Sequence, residues 1–135
     1  MASKFHLEIV TPDRVFYDND VEMVIAKTTE GDIGVLAGHI PLVAPLTISK
    51  LTIKLDGTDK EAAISGGFIK VAKGGTTIIV DAAEWPEEID EKRAEEAKER
   101  AERRLSSKAA DIDTFRAEIA LRKAINRIEI SRTYK

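Results

Sequence analysis

The chain has 135 residues, 43% hydrophobic and 33% charged, with a formal net charge of -3; this suits one domain with a modest core plus an appendage, and excludes a disordered segment. It has no cysteine, hence no disulfide framework, no thiolate nucleophile and no Cys-held metal, as fits a reducing compartment. No apolar run approaches the roughly 18 residues that span a bilayer, and the opening Met1-Ala2-Ser3-Lys4-Phe5-His6 lacks a signal peptide's apolar stretch, so a soluble, cytoplasmic protein is expected.

Apolar runs recur between turn signals in the first part of the chain: Phe5-Val10, Val15-Tyr17, Val21-Ala26, Ile33-Leu36, Leu42-Ala44, Ile48-Leu55, Ala62-Ile64, Phe68-Val71 and Thr76-Val80. Leu51, Ile53 and Leu55 alternate with Thr52 and Lys54, which predicts one buried and one wet face. Short strands at this spacing, with no helical stretch between them, indicate a β-sandwich or flattened barrel. Asp56-Gly57-Thr58 and Gly74-Gly75 supply residues tolerant of positive φ and read as hairpin turns.

Two segments of this body stand out. Gly31 to Val43 reads as a loop with three glycines, His39 and Pro41, with apolar residues between them. It has neither the Lys-Ser/Thr ending of a P-loop nor the strand-to-helix setting of a dinucleotide fingerprint, which argues against a phosphate cradle. His39 has only His6 as a fellow histidine, too few groups for a base or metal site, so a turn histidine in a contact loop is expected. Ser65-Gly66-Gly67-Phe68 lacks the preceding glycine of a nucleophile elbow, and its paired glycines point to a bulge or a close backbone approach.

All eight glycines and all four prolines lie at or before Pro86. Beyond it the chain is written almost wholly in Ala, Glu, Lys, Arg, Leu and Ile, the residues that lose least on entering a helix. Asp90 is placed to cap a first helix, on which Ala94, Ala97, Ala101 and Leu105 form a narrow stripe. Ser106 to Asp113 supplies a polar break, and a second helix from about Asp113 carries Ala117, Leu121, Ala124 and Ile128. Alanine on both stripes lets two antiparallel helices approach closely. Alanine methyls also bury little, so the hairpin is expected to lie near alternative states, as a switch requires.

Charge follows the same division. Residues 1-85 carry 8 basic and 12 acidic side chains, whereas residues 86-135 carry 13 and 12. From Asp113 onward, six basic residues (Arg116, Arg122, Lys123, Arg127, Arg132, Lys135) face three acidic ones (Asp113, Glu118, Glu129), so this end prefers acidic partners. The predicted fold class is α+β: an N-terminal β-sandwich or flattened barrel followed by a C-terminal antiparallel two-helix hairpin.

The loop Gly31-Asp32-Ile33-Gly34-Val35-Leu36-Ala37-Gly38-His39-Ile40-Pro41-Leu42, the opening Val10-Thr11-Pro12 with Tyr17, the Ser65-Gly66-Gly67-Phe68 segment and the charged hairpin together resemble the epsilon subunit of bacterial rotary ATP synthases. The resemblance covers essentially the whole chain in order. It implies an N-terminal antiparallel β-sandwich of about ten strands (residues 1-85) at the foot of the central stalk, bound to the gamma subunit and resting on the c subunits of the rotor ring. It implies an arm (residues 86-135) that either folds down on the sandwich or extends along gamma into the catalytic head and blocks ATP hydrolysis. The subunit would be non-catalytic, peripheral at the cytoplasmic face of the bacterial plasma membrane, and in contact with the membrane only through the complex.

The resemblance also assigns residues. Asp32 and His39 fall where family members touch the rotor-ring loops. Arg122, Lys123 and Arg127 on the basic second helix would give the inhibitory contact with an acidic stretch of the catalytic beta subunits, beside alpha. Ile89-Asp90-Glu91-Lys92-Arg93-Ala94 matches the family's ATP-binding pattern, which implies a regulatory ATP site of Glu84, Ile89, Asp90, Arg93, Ala94, Arg100, Lys123 and Arg127. Carboxylates can accept from the adenine amino group or ribose, and arginines can pair with phosphates. Lys123 stands where ATP-binding members carry arginine, so a bidentate contact becomes a point charge. ATP is thus the expected regulatory ligand, with no cofactor or metal implied.

Two readings compete. A nucleic-acid- or protein-binding module with a static hairpin is suggested by Lys98-Glu99-Arg100-Ala101-Glu102-Arg103-Arg104. Its interleaved glutamates cancel the field, and no aromatic platform accompanies it. A small-molecule enzyme would need a constellation of convergent groups that the sequence does not offer.

Overall fold

A computed structural model describes residues 3–107 and 113–135. The chain divides into two compact units, Met1–Glu84 and Trp85–Lys135. Part of the polar break expected between the helices, residues 108–112, lies outside the described residues.

The first unit holds eight strands: β1 (Phe5–Val10), β2 (Val15–Val21), β3 (Met23–Thr28), β4 (Gly31–Leu36), β5 (Leu42–Leu46), β6 (Ser49–Leu55), β7 (Thr58–Ala72) and β8 (Gly75–Glu84). They are hydrogen-bonded in the order β2-β1-β8-β7-β5-β3-β4, with β6 joining β3 and β7. Alternate residues line the core: Leu7 and Ile9 on β1, Ile69 and Val71 on β7, Ile78 and Val80 on β8 are all buried. Each such aliphatic side chain stabilises the sandwich by about 1.5–3 kcal/mol relative to exposure.

The expected sandwich and hairpin are present, with differences of detail. Among the described residues there are eight strands rather than about ten: the nine apolar runs become eight because Ala62-Ile64 and Phe68-Val71 belong to one strand of 15 residues. The pair β1–β8 is parallel, not antiparallel. β2 continues through the polar run Asp18-Asn19-Asp20, where the ladder to β1 overrides the low strand propensity of those residues. On β6, Thr52 is buried beside Leu51 and Ile53, so the wet face expected there is interrupted. Its hydroxyl donates to Glu61 Oε2 at 2.6 Å, which satisfies the buried group.

Turn chemistry explains how the strands connect. Asp56 and Gly57 have φ of +51° and +76°, the paired left-handed geometry of a type I′ hairpin between β6 and β7. Gly67 marks a close backbone approach: a Cβ there would stand 2.0 Å from the carbonyl oxygen of Ile79. The long strand therefore bends at Ser65-Gly66-Gly67 without leaving its ladder to β8.

The second unit opens with a 3-10 turn, Pro86–Glu88, in which the Trp85 main-chain N–H donates to Glu88 Oε1 at 2.9 Å. Helix α1 (Glu91–Ser106) and helix α2 (Thr114–Tyr134) follow, capped by Asp90 and Asp113. Ala94 and Ala101 on α1, with Ala117, Ala124 and Ile128 on α2, are buried, whereas Ala97, Leu105 and Leu121 are half-buried.

Candidate functional site

The residues of the expected ATP pattern sit at the start of α1. Ile89 is buried, and Asp90 accepts the main-chain N–H of Arg93 at 3.1 Å, so its carboxylate is held at the helix N-terminus. Ala94 is fully buried, and its small side chain leaves room for α2 to approach. Arg93 and Arg100 are both exposed. Seven residues apart, they lie on one side of α1 with about 10 Å of axial rise between them.

The helices are antiparallel, because Arg132 near the end of α2 pairs with Glu91 and Glu95 at the start of α1. Arg127, five residues before Arg132, is thereby displaced about 7.5 Å toward the middle of α1, to a level between Arg93 and Arg100. It is half-buried. Lys123 lies about one further turn along, beyond Arg100. Glu84 closes β8 in the other unit.

Arg93, Arg100, Arg122 and Lys123 make no side-chain hydrogen bond or ion pair with any other described residue. Four guanidinium and ammonium groups of one hairpin are thus available to an anionic ligand or an acidic surface. Sequence reasoning named Arg132 and Lys135 only among the basic residues of the C-terminal segment and gave them no partner. Their role depends on the antiparallel register of the two helices, which no local pattern announces.

The glycine-histidine-proline segment is more ordered than a loop. Gly31 to Leu36 forms β4, paired with β3, and only residues 37–41 connect it to β5. A turn closes where the His39 N–H donates to the Leu36 carbonyl at 3.2 Å, with Gly38 at φ +82°. His39 Nδ1 lies 2.7 Å from the Ile40 carbonyl oxygen. A carbonyl only accepts, so Nδ1 carries the proton and Nε2 is left as the ring's other polar atom. Asp32 is exposed on β4 opposite Lys27. Around them Leu36, Ile40 and Val43 are 55%, 76% and 65% exposed, an apolar surface concentrated on one end of β4 and β5.

A β-sandwich with an exposed apolar turn, carried in one chain with a cation-bearing helical hairpin, defines a contact-making component of a larger assembly. The family model described as the beta-sandwich domain of the ATP synthase delta/epsilon chain matches residues 4–86, and that of its long alpha-helix domain matches residues 87–132. The chain belongs to the ATP synthase epsilon-chain family, whose member is a non-catalytic stalk subunit rather than an enzyme in itself.

Among curated relatives, the ATP synthase epsilon chain of Alkaliphilus metalliredigens is 57% identical over 132 residues, covering 98% of each chain. That of Caldanaerobacter subterraneus is 51% identical over 136 residues, covering 100% of this chain and 99% of the relative. A chain in the cryo-EM structure of the Euglena gracilis mitochondrial ATP synthase (OSCP/F1/c-ring, rotational state 1) superposes with a TM-score of 0.81 at 29% identity, covering 93% of this chain and 80% of that one. A chain of the Tetrahymena thermophila mitochondrial ATP synthase central stalk and c-ring shares the fold, with a TM-score of 0.60 at 17% identity, covering 97% of this chain and 96% of that one.

Proposed function

We propose that this subunit couples the rotor of a proton-translocating ATP synthase to the catalytic head and restrains ATP hydrolysis through its helical hairpin. The sandwich unit binds gamma and meets the c subunits of the rotor ring through Asp32, His39 and the exposed Leu36-Ile40-Val43 surface. The subunit is peripheral, at the cytoplasmic face of the bacterial plasma membrane. The hairpin is the regulatory arm, whose Arg122, Lys123 and Arg127 are attracted to acidic residues of beta, beside alpha, when the arm is extended.

ATP is the regulatory ligand of the arm, held by Arg93, Arg100, Lys123 and Arg127 at its phosphates and by Asp90 at its nucleoside, against Ile89 and Ala94. The observation that carries this reading is that Arg93, Arg100 and Lys123 engage no other described residue on the closed hairpin. Guanidinium groups are suited to bidentate phosphate contacts and to carboxylate surfaces alike. The same charges therefore serve either state of the arm, and ATP shifts the balance only by its preference for one of them.

The test is ATP hydrolysis and proton-driven synthesis by the reconstituted complex, with the full chain and with a chain ending at Glu84. Truncation is expected to raise hydrolysis and to leave synthesis in place, and excess ATP should relieve restraint only in the full-length complex. Hydrolysis that is the same with and without the arm would overturn the reading.

A further inference from the structure

The hairpin is fastened at its open end. Arg132, in the last turn of α2, donates through Nη2 to Glu95 Oε1, and its Nε lies 3.5 Å from Glu91 Oε2. Glu91 and Glu95 are four residues apart, so on the surface of α1 they are neighbours of like charge and repel each other. A guanidinium between them removes that repulsion and adds two charge-assisted contacts. Opening the hairpin forfeits the contacts and restores the repulsion together.

Lys135 adds a second tie. Its Nζ donates to the main-chain carbonyl oxygen of Ile89 at 2.7 Å, a part-buried contact immediately before the Asp90 cap. Both ties lie within one compact unit: Lys135 ends on the carbonyl that precedes the Asp90 cap, and Arg132 on the first two turns of α1.

We propose that Arg132 and Lys135 form an electrostatic latch that holds α2 closed on the start of α1 and, resting on the ATP reading above, sets how tightly the arm takes ATP. They are positioning residues: neither belongs to the proposed phosphate-binding set. Of the buried stripe residues, Ala94, Ala101, Ala117 and Ala124 are alanines and Ile128 is the larger one. Methyl groups contribute little burial, so the closed state is only lightly favoured by packing. Ion pairs as exposed as these, with the Arg132 side chain 60% accessible, are individually weak and salt-sensitive. A weak latch on a weakly packed seam still moves a population. If ATP needs the closed hairpin, its apparent dissociation constant is the intrinsic one divided by the closed fraction.

The experiment compares the full chain with Arg132→Gln, with Arg132→Gln/Lys135→Gln, and with the reversed pair Arg132→Glu/Glu91→Arg/Glu95→Arg. Glutamine keeps helix propensity while removing the charge. Amide hydrogen exchange in the first turn of α1 is read without ATP, at low salt and at about 0.5 M salt, and ATP binding is read by calorimetry. The latch predicts exchange several-fold faster in the glutamine variants, with the salt dependence lost. It predicts ATP binding weakened by roughly three- to ten-fold, as the closed fraction falls. The reversed pair should restore both. Exchange unchanged in the double glutamine variant would overturn the latch whatever ATP does. Faster exchange with undiminished ATP affinity would overturn its control of the ligand. A wild-type chain that binds no ATP, yet shows the salt-dependent exchange, would sink the ATP reading while upholding the latch.

Discussion

The carboxylate of Asp90 accepts the main-chain N–H of Arg93 at 3.1 Å, so one side chain both caps α1 and opens the proposed ATP pattern. The two duties separate by substitution. Asp90→Asn keeps an acceptor at the cap and should leave thermal stability close to wild type, whereas Asp90→Ala should cost about 1 kcal/mol. If the carboxylate also contacts ATP, both variants weaken ATP binding, and the asparagine variant does so without destabilising the helix. Calorimetry and helix melting on the same samples check this, and an asparagine variant with wild-type affinity would confine Asp90 to the cap.

Gly67 cannot take a side chain in place. A Cβ would meet the Ile79 carbonyl oxygen at 2.0 Å, on a backbone whose φ of +151° already disfavours other residues. Gly67→Ala should therefore destabilise the sandwich by about 3 kcal/mol, the upper end of overpacking costs. Gly74→Ala is the control, since nothing lies within 4 Å of its Cβ position. Urea unfolding of both variants measures the difference, and equal midpoints would contradict the strand packing described here.

These two sites also show what the sequence made legible. Asp90 and Asp113 were readable as caps because an N-cap is a local event, and Asp56-Gly57 as a hairpin turn because positive φ selects those residues. The glycine pair at residues 66 and 67 was readable as a close approach, but not as the middle of one 15-residue strand. A bend and a strand end look alike in sequence, and only the partner strand tells them apart. The parallel β1–β8 pair and the Arg132–Glu95 contact escaped for a related reason: each joins segments whose register is set by tertiary packing. At the candidate site the Asp90 cap was legible, whereas the level at which Arg127 stands along α1 was not.

His6 bridges the edge of the sandwich. Its Nδ1 lies 2.9 Å from Asp20 Oδ1, and its Nε2 pairs with Asp18. Both ring nitrogens face carboxylates, so the imidazolium is favoured and its pKa is raised above the ordinary 6.5, chiefly by the hydrogen bond to Asp20, against the opposing effect of desolvation, and further by Asp18. Because the folded pKa exceeds the unfolded one, the contribution to stability is complete below 6.5 and is lost as pH rises through the folded value. Exchange of the β2 amides should therefore speed up over that window in the wild type and not in His6→Gln. A pH-independent wild type would remove His6 from the account of β2.

Lys123 stands where the proposed ATP pattern calls for arginine. Lysine offers a compact charge on a flexible stem, whereas arginine offers a planar fork that matches a phosphate bidentately. Lys123 is exposed and engages no other described residue, so Lys123→Arg should not disturb the fold. If the side chain reaches the phosphates, the substitution adds one charge-assisted hydrogen bond, worth about 1.5 kcal/mol or more and hence roughly ten-fold tighter binding. Arg93→Ala and Arg100→Ala should move affinity the other way by a similar factor. Titration of the isolated chain with ATP, followed by calorimetry or by the fluorescence of Trp85, gives all three numbers. Equal affinity in Lys123→Arg and wild type would place residue 123 outside the site and leave it to the inhibitory contact, where its single charge is sufficient.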